Sequence, residues 1–322
     1  MMDFIPLNGI PPKHRMNLFS TRLRMFLMTT PVPDLCLPGL VRSAVQCRAV
    51  VVEHEQMARN TWRMRLECPE IARQILPGQF FMVRLPERSD PLLGRPFALY
   101  DIYHDEAGQP CGLDFGYVVV GKMTSLLESL RPGDDVELWG PLGNGFPPPP
   151  AGHLVIVAGG IGVTPFLAVI REALRRRIYG QPPRELGHVP SRITLCYGVR
   201  SAEFLAGVEE FRREGIDVRI ATDDGSLGHR GFVTELLQEL LDEASPLEAV
   251  YCCGPEPLMH AVARRTDAAN VSCWLSLETP MACGFGACFS CVTKIKQDDG
   301  SWDYRRVCVE GPVFPARQLV FD

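Results

Sequence analysis

Four cysteines near the carboxyl end of the chain, Cys283, Cys288, Cys291 and Cys308, are spaced C-x4-C-x2-C-x16-C. Three thiolates from one tight loop and a fourth from a separate strand can converge on the two irons of a [2Fe-2S] cluster. Gly284 and Gly286, between the first two cysteines, allow positive φ and let backbone N–H groups approach inorganic sulfur. Zinc is the rival. Structural zinc usually takes two C-x2-C pairs, and only Cys288 and Cys291 form one here, so the spacing favours iron–sulfur chemistry and one-electron traffic.

Two further segments have the form of strand, glycine turn and helix. In Val155-Ile156-Val157-Ala158-Gly159-Gly160-Ile161-Gly162-Val163-Thr164-Pro165, backbone N–H groups at the turn suit a pyrophosphate. The spacing is not G-x-G-x-x-G, and alone it reads equally well as a tight turn without ligand. Tyr251-Cys252-Cys253-Gly254-Pro255 is a second strand end at the same carboxyl edge, which would set Cys253 and Gly254 beside a nicotinamide. Gly121-Lys122-Met123-Thr124 suits an anion or a plain helix cap. Arg95-Pro96-Phe97-Ala98-Leu99-Tyr100 reads at its simplest as a charged residue and a proline at a sheet edge.

The elements that must position these groups fall into two rhythms. Between residues 44 and 147, six short apolar runs (47–52, 61–66, 79–85, 98–102, 113–120 and 135–138) are split by turn signals, the pattern of an antiparallel β-barrel. The run Pro147-Pro148-Pro149-Pro150 is a stiff connector and a domain boundary. Over 151–270, strands alternate with helices expected at 165–177, 203–215, 231–242 and 256–265, the pattern of α/β with a mostly parallel sheet. A small separate lobe over 271–322 carries the four cysteines. The fold class is therefore α/β plus β: an antiparallel β-barrel, a parallel α/β domain and a carboxyl-terminal cluster lobe.

At 322 residues the chain is long enough for two domains and an appendage. Hydrophobic content of 46%, charged content of 22% and a net charge of −5 describe a globular chain with no electrostatic reason to meet nucleic acid. The other eight cysteines, Cys36, Cys47, Cys68, Cys111, Cys196, Cys252, Cys253 and Cys273, read mostly as small buried hydrophobes, and scattered thiols beside a cluster motif point to a reducing compartment, the cytoplasm. Residues 1–43 read as a loose extension: Arg22 and Arg24 interrupt an apolar stretch too short for a membrane span, and no cleavage pattern marks a signal peptide.

With Gly159-Gly160-Ile161-Gly162-Val163-Thr164-Pro165, Cys253-Gly254-Pro255 and Arg95-Pro96-Phe97-Ala98 in one chain, the sequence resembles the ferredoxin reductase family. The resemblance implies FAD on the barrel, with Arg95 at its pyrophosphate, Pro96, Phe97, Ala98 and Leu99 beneath its ring, and Gly121, Lys122, Met123 and Thr124 forming a second phosphate loop. It implies NAD held by Gly159, Gly160, Gly162, Thr164, Cys253 and Gly254. Ala98 stands where that family has a serine. Arg200 could meet a 2′-phosphate and Glu203 ribose hydroxyls, so Arg200 keeps NADP in play.

The cluster segment, Leu277-Glu278-Thr279-Pro280-Met281-Ala282-Cys283 through Cys308-Val309-Glu310-Gly311-Pro312-Val313-Phe314, narrows the resemblance. It is similar to the family of electron-transfer subunits of class 1B dihydroorotate dehydrogenase, over about residues 44–316. That resemblance implies electrons from dihydroorotate oxidation at an FMN-containing catalytic partner subunit, passing through [2Fe-2S] and FAD to NAD⁺ in pyrimidine biosynthesis, in a heterotetramer. It implies no acid or base for pyrimidine chemistry within this chain. Flavin can accept two electrons and release one at a time, which explains why the three modules share a chain. The alternatives are an NAD(P)H-linked subunit of a hydrogenase or ferredoxin-dependent transhydrogenase, a stand-alone reductase feeding an oxygenase, and a zinc-holding assembly protein.

Overall fold

A computed structural model describes Val41 and residues 43–321. All but two residues of the expected 1–43 extension lie outside the described residues. No helix among the described residues is long and apolar enough to cross a membrane.

Seven strands form the first sheet: β1 (Val45–Ala58), β2 (Thr61–Glu67), β3 (Phe80–Arg84), β4 (Arg95–Ala98), β5 (Asp101–His104), β6 (Pro110–Val118) and β7 (Asp135–Leu142), in the antiparallel order β4-β3-β7-β1-β2-β6-β5. Two short helices, α1 (Pro69–Ala72) and α2 (Lys122–Glu128), join them. The expected 98–102 run is two strands, because the backbone changes partners within it. Leu99 N–H donates to the Gln79 carbonyl (3.1 Å), and Tyr100 N–H donates to the Asp114 carbonyl (2.8 Å). Since β4 and β5 sit at opposite edges of the sheet, this one segment closes the barrel and removes both edges. Inside, Phe97 and Phe81 pack against Phe115 with ring centres 4.7 and 5.8 Å away. Each buried aromatic contributes about 1.5–3 kcal/mol.

The second sheet has the order β11-β10-β9-β8-β12-β13-β16. Its strands are β8 (His153–Gly159), β9 (Arg192–Val199), β10 (Asp217–Thr222), β11 (His229–Arg230), β12 (Leu247–Cys253), β13 (Ser272–Ser276) and β16 (Val313–Pro315). All pairs are parallel except β13 with β16. The central β8 is buried on both faces, which is why it reads as an unbroken apolar run. The helices are α3 (Phe166–Ala173), α4 (Val208–Arg213), α5 (Val233–Leu241) and α6 (Glu256–Ala268). The helix expected at 203–215 is interrupted because Gly207 takes φ +67°.

The cluster lobe is less separate than its sequence implied. The apolar run Cys273-Trp274-Leu275 lies in β13, paired with β12, so the α/β sheet extends past the expected boundary at residue 270. Beyond the cysteine loop come a hairpin, β14 (Val292–Lys296) with β15 (Trp302–Arg306), and then β16, which returns to the edge of β13. Cys291, Ile295, Val307 and Cys308 share one core with Phe80, Met82 and Leu142 of the barrel and Leu275 of the α/β sheet.

Candidate functional site

A cavity of about 740 Å³ opens along β4. Arg95, Pro96, Phe97 and Ala98 line one wall, and Gly121, Lys122, Met123 and Thr124 line its mouth. Among the described residues Arg95 has no carboxylate partner; its guanidinium donates to the carbonyls of Leu93 and Gly94, both at 3.0 Å. Lys122 pairs with Asp90. The Thr124 hydroxyl is spent inside its own loop, accepting from Val120 N–H (3.0 Å) and Gly121 N–H (3.1 Å). It therefore shapes the loop. Leu99 does not reach the cavity: its side chain is fully buried in the barrel core, where it anchors the strand.

Sequence reasoning missed the groups that complete this cavity. Tyr117 lines it and is fixed by His54, whose Nδ1–H donates to the Leu130 carbonyl (3.1 Å), leaving Nε2 to accept from the Tyr117 hydroxyl (2.9 Å). Burial lowers the His54 pKa, which keeps that acceptor neutral. On the opposite side Thr164, Cys253, Ser276 and Glu278 face in. Burial raises the pKa of Cys253, so it is a neutral thiol. Glu278 has no hydrogen-bond or ion-pair partner among the described residues; it is solvent-exposed, and partial desolvation by the surrounding protein raises its pKa. The Thr279 hydroxyl, also on the wall, is buried without a partner. An unsatisfied buried hydroxyl, an unpaired guanidinium and an open Gly121, with no atom within 4 Å of where a Cβ would stand, fit a large polar ligand with an anionic tail.

A second cavity, of about 840 Å³, runs over the carboxyl edge of the parallel sheet. Gly159 and Gly160 line it. Gly160 takes φ +54° and has open space at its Cβ position, so its backbone lies bare to a ligand. Gly162 does not line the cavity; a Cβ there would stand 2.5 Å from the Cys253 carbonyl oxygen. Gly254, at φ +156°, similarly lies against Gly159 N (3.0 Å from its own Cβ position). These glycines dock one turn onto the other. Arg200, Arg265 and Asp223 line the outer end. Glu203 does not line the cavity but pairs at 2.6 Å with Arg59, which does, so Asp223 is the carboxylate that faces the cavity. Val118, Val120 and Ile161 wall both cavities, which therefore meet edge to edge.

The four cysteines follow directly on the first cavity's wall, Cys283 standing two residues beyond Met281 and Gly284 lying against Met82 and Leu142 of the barrel. Cys288 meets Cys283 and Cys308 meets Cys291, with Cys283 also near enough to act on Cys308, so the thiols form two neighbouring pairs. Among the described residues the one trio of metal-ligating side chains held within 4.8 Å is Cys47, Cys68 and Glu70, so these four are not grouped about one centre as tetrahedral zinc requires. Two pairs fit two irons. The Ser290 hydroxyl, 3.2 Å from Cys288 Sγ, leads in holding that thiol's pKa down to about 6. Gly284 and Gly286 adopt φ +78° and +97°. The loop is tied to the barrel by Trp139, whose Nε1–H donates to the Cys283 carbonyl (2.7 Å), and to its own return strand by Arg306, which donates to the Gly286 carbonyl (3.0 Å). Asn144 clamps the segment after Cys308, donating to the Glu310 and Val313 carbonyls (3.1 and 2.9 Å) and accepting from Val313 N–H (3.0 Å).

Barrel, parallel sheet and cluster loop together define a ferredoxin reductase-like flavoprotein with an appended iron–sulfur segment. Family models agree domain by domain: an oxidoreductase FAD-binding domain over residues 48–146, an oxidoreductase NAD-binding domain over 156–264, and the iron–sulfur cluster binding domain of dihydroorotate dehydrogenase B over 278–320. The dihydroorotate dehydrogenase B (NAD(+)) electron transfer subunit of Desulforamulus reducens is 37% identical over 276 residues, 85% of this chain and 98% of that protein. The corresponding subunit of Geobacillus thermodenitrificans is 36% identical with the same coverage. The chain belongs to the family of dihydroorotate dehydrogenase B electron transfer subunits. In fold it also matches an NADH-dependent reduced ferredoxin-NADP oxidoreductase (TM-score 0.70, 24% identity, 84% of this chain and 89% of the other). Phthalate dioxygenase reductase matches at TM-score 0.54 and 20% identity, over 84% of this chain and 97% of the other.

Proposed function

We propose that this chain carries electrons from dihydroorotate oxidation in an FMN-containing catalytic partner to NAD⁺. In this reading Cys283, Cys288, Cys291 and Cys308 hold a [2Fe-2S] cluster, the first cavity holds FAD and the second holds NAD. The observation that carries it is the shared wall of Val118, Val120 and Ile161, which brings the two cavities together while Trp139 binds the cysteine loop to the barrel behind them. Bound there, FAD supplies the exchange between a two-electron hydride and single electrons.

The chain's residues supply position and electrostatics. Arg95 and Lys122 meet the dinucleotide phosphates, and Phe97, Ala98 and Tyr117 shape the ring site. Ala98 has no hydroxyl, so any hydrogen bond to the flavin from this strand comes from backbone. Cys253, neutral and buried, fills the gap between the rings without adding charge. Gly159 and Gly160 give the nicotinamide nucleotide close access to backbone, Gly162 and Gly254 hold the two turns together beneath it, and Thr164 stands beside them. Its hydroxyl is already donated to the Ile161 carbonyl (2.9 Å), so Thr164 fixes the turn.

Asp223 at the outer end favours a ribose with free hydroxyls over a 2′-phosphate, which selects NAD despite Arg200. The partner is the FMN-containing catalytic subunit, in a heterotetramer with two copies of each chain, in the cytoplasm. Rapid-mixing reduction of the anaerobic holoprotein tests the nucleotide side: NADH is expected to reduce the flavin far faster than NADPH at equal concentration. Equal rates, or a preference for NADPH, would remove the NAD assignment.

A further inference from the structure

The barrel contains a further thiol pair that electron transfer does not use. Cys47, on β1, and Cys68, the residue that opens α1, hold their Sγ atoms 3.0 Å apart. The strands explain the meeting. β1 and β2 run antiparallel with Val51 opposite Leu66 and Val50 opposite Glu67, so one step further Cys68 falls diagonal to Cys47 on the same face. The two sulfurs differ in access. Cys68 is 1% exposed and belongs to the barrel core, while Cys47 is half-buried and packs at that core's margin. Cys68 is also held in place through its backbone, donating to the Cys111 carbonyl (3.0 Å) and accepting from Ala72 N–H (3.1 Å).

Glu70 brings a carboxylate within 4.8 Å of both sulfurs, so a metal site is the competing reading. The ligand count argues against it. Two thiolates on one zinc, each about 2.3 Å from the ion at a tetrahedral angle, stand about 3.8 Å apart, well beyond the separation here. An S–S bond needs about 2.05 Å, so the pair stands between the two spacings, and the ligand count decides: a structural zinc takes four side chains, and among the described residues only these three come together. A hydrogen bond from Cys68 also lowers the pKa of Cys47 and raises its own, so the accessible sulfur is the one favoured as thiolate.

We propose that Cys47 and Cys68 form a reversible redox pair, in which a peroxide oxidises Cys47, Cys68 captures it as a disulfide, and a dithiol reopens the bond. The Cys47 thiolate attacks one peroxide oxygen, the O–O bond breaks, and with one proton a water leaves, giving the sulfenic acid. Cys68 sulfur then attacks the Cys47 sulfur, the S–O bond breaks, its proton and the hydroxyl leave as a second water, and the disulfide forms. Two thiols lose two electrons, and hydrogen peroxide takes them to become two waters. A dithiol reverses the change by thiol–disulfide exchange and leaves as its own disulfide. The bond would tie β1 to the start of α1 and restrict the unfolded chain between them.

The test treats the full-length holoprotein with graded hydrogen peroxide, blocks remaining thiols with N-ethylmaleimide after denaturation, and maps the peptides by mass spectrometry. The expected result is a cross-linked peptide pair containing Cys47 and Cys68, formed while buried Cys196 and Cys252 stay alkylatable and erased by dithiothreitol. Its formation should raise the thermal midpoint by several degrees, and Cys68→Ser should leave a sulfenic acid on Cys47 that dimedone labels. Recovery of both residues as maleimide adducts would overturn the proposal. So would irreversible sulfinic acid on Cys47 beside a free Cys68, or a stoichiometric zinc ion that Cys47→Ser releases. The peptide map on the unaltered chain decides the matter even where a variant folds poorly.

Discussion

Gly162 has room for no side chain, because a Cβ would stand 2.5 Å from the Cys253 carbonyl oxygen and backbone cannot swing aside. Gly162→Ala should therefore pry the two nucleotide turns apart, leave flavin content unchanged, and slow flavin reduction by NADH on the order of tenfold to a hundredfold. Rapid mixing reads this directly, and an unchanged rate would show that the turns need not touch. Glu278 makes a second test. Its pKa is raised in the folded chain, so folding favours the protonated form, and ionisation costs stability as pH climbs from the ordinary carboxylate pKa through the folded one. Since Glu278 is solvent-exposed and water screens its charge, Glu278→Gln should stabilise the protein only slightly in urea at pH 8 and change nothing near pH 3, where both states carry a neutral carboxyl. A gain of the same size at both pH values would rule out the charge as its cause. These two positions also mark what sequence could and could not reveal. The glycine turn is local and could be read as a motif. Glu278 and Thr279 acquire meaning from the cavity they face, which segments far apart in the chain assemble.

At the scale of elements, the barrel and the α/β domain are locked by charges that no local pattern announces. Asp101 on β5 is buried and accepts from Arg171 of α3, from Arg177, from the Tyr179 hydroxyl (2.6 Å) and from Ile102 N–H (2.8 Å). Asp101→Ala leaves Arg171 with Glu214 alone and Arg177 with no carboxylate among the described residues, and a loss of about 3 kcal/mol is expected, measured by urea denaturation with flavin bound. A cost below about 1 kcal/mol would mean that water reaches the seam. Trp139 plays the matching part for the cluster loop: Trp139→Phe removes the donor to the Cys283 carbonyl while keeping an aromatic ring. The expected result is a cluster that assembles and is lost faster to chelator; identical loss rates would assign the loop's order to the four thiols alone. The apolar runs located most strands, since burial of a face leaves its period in the sequence. They missed the break at Leu99 and Tyr100, because that break depends on which strand lies alongside. They also misplaced Ser272–Ser276, which gains its identity by pairing with β12.

Over the whole molecule, the module order of barrel, α/β domain and cysteine loop is legible from motif to motif, and the family models cover the same three stretches. The junction was not. The cluster segment has no core of its own, because β16 returns to the α/β sheet and Asn144 of the barrel's exit turn clamps the chain beside it. The barrel interior and one face of the parallel sheet keep cores of their own, and a third core, shared by all three stretches, joins the cysteine loop to both. The most direct test of this account is dihydroorotate-dependent reduction of NAD⁺ by the chain co-expressed and purified with the catalytic dihydroorotate dehydrogenase subunit of its own organism. Stable co-purification is expected, with NADH formation that Cys308→Ser abolishes while NADH still reduces the flavin of the variant. Failure of the holoprotein, with flavin and cluster both present, to bind that subunit or to make NADH with it would contradict the account.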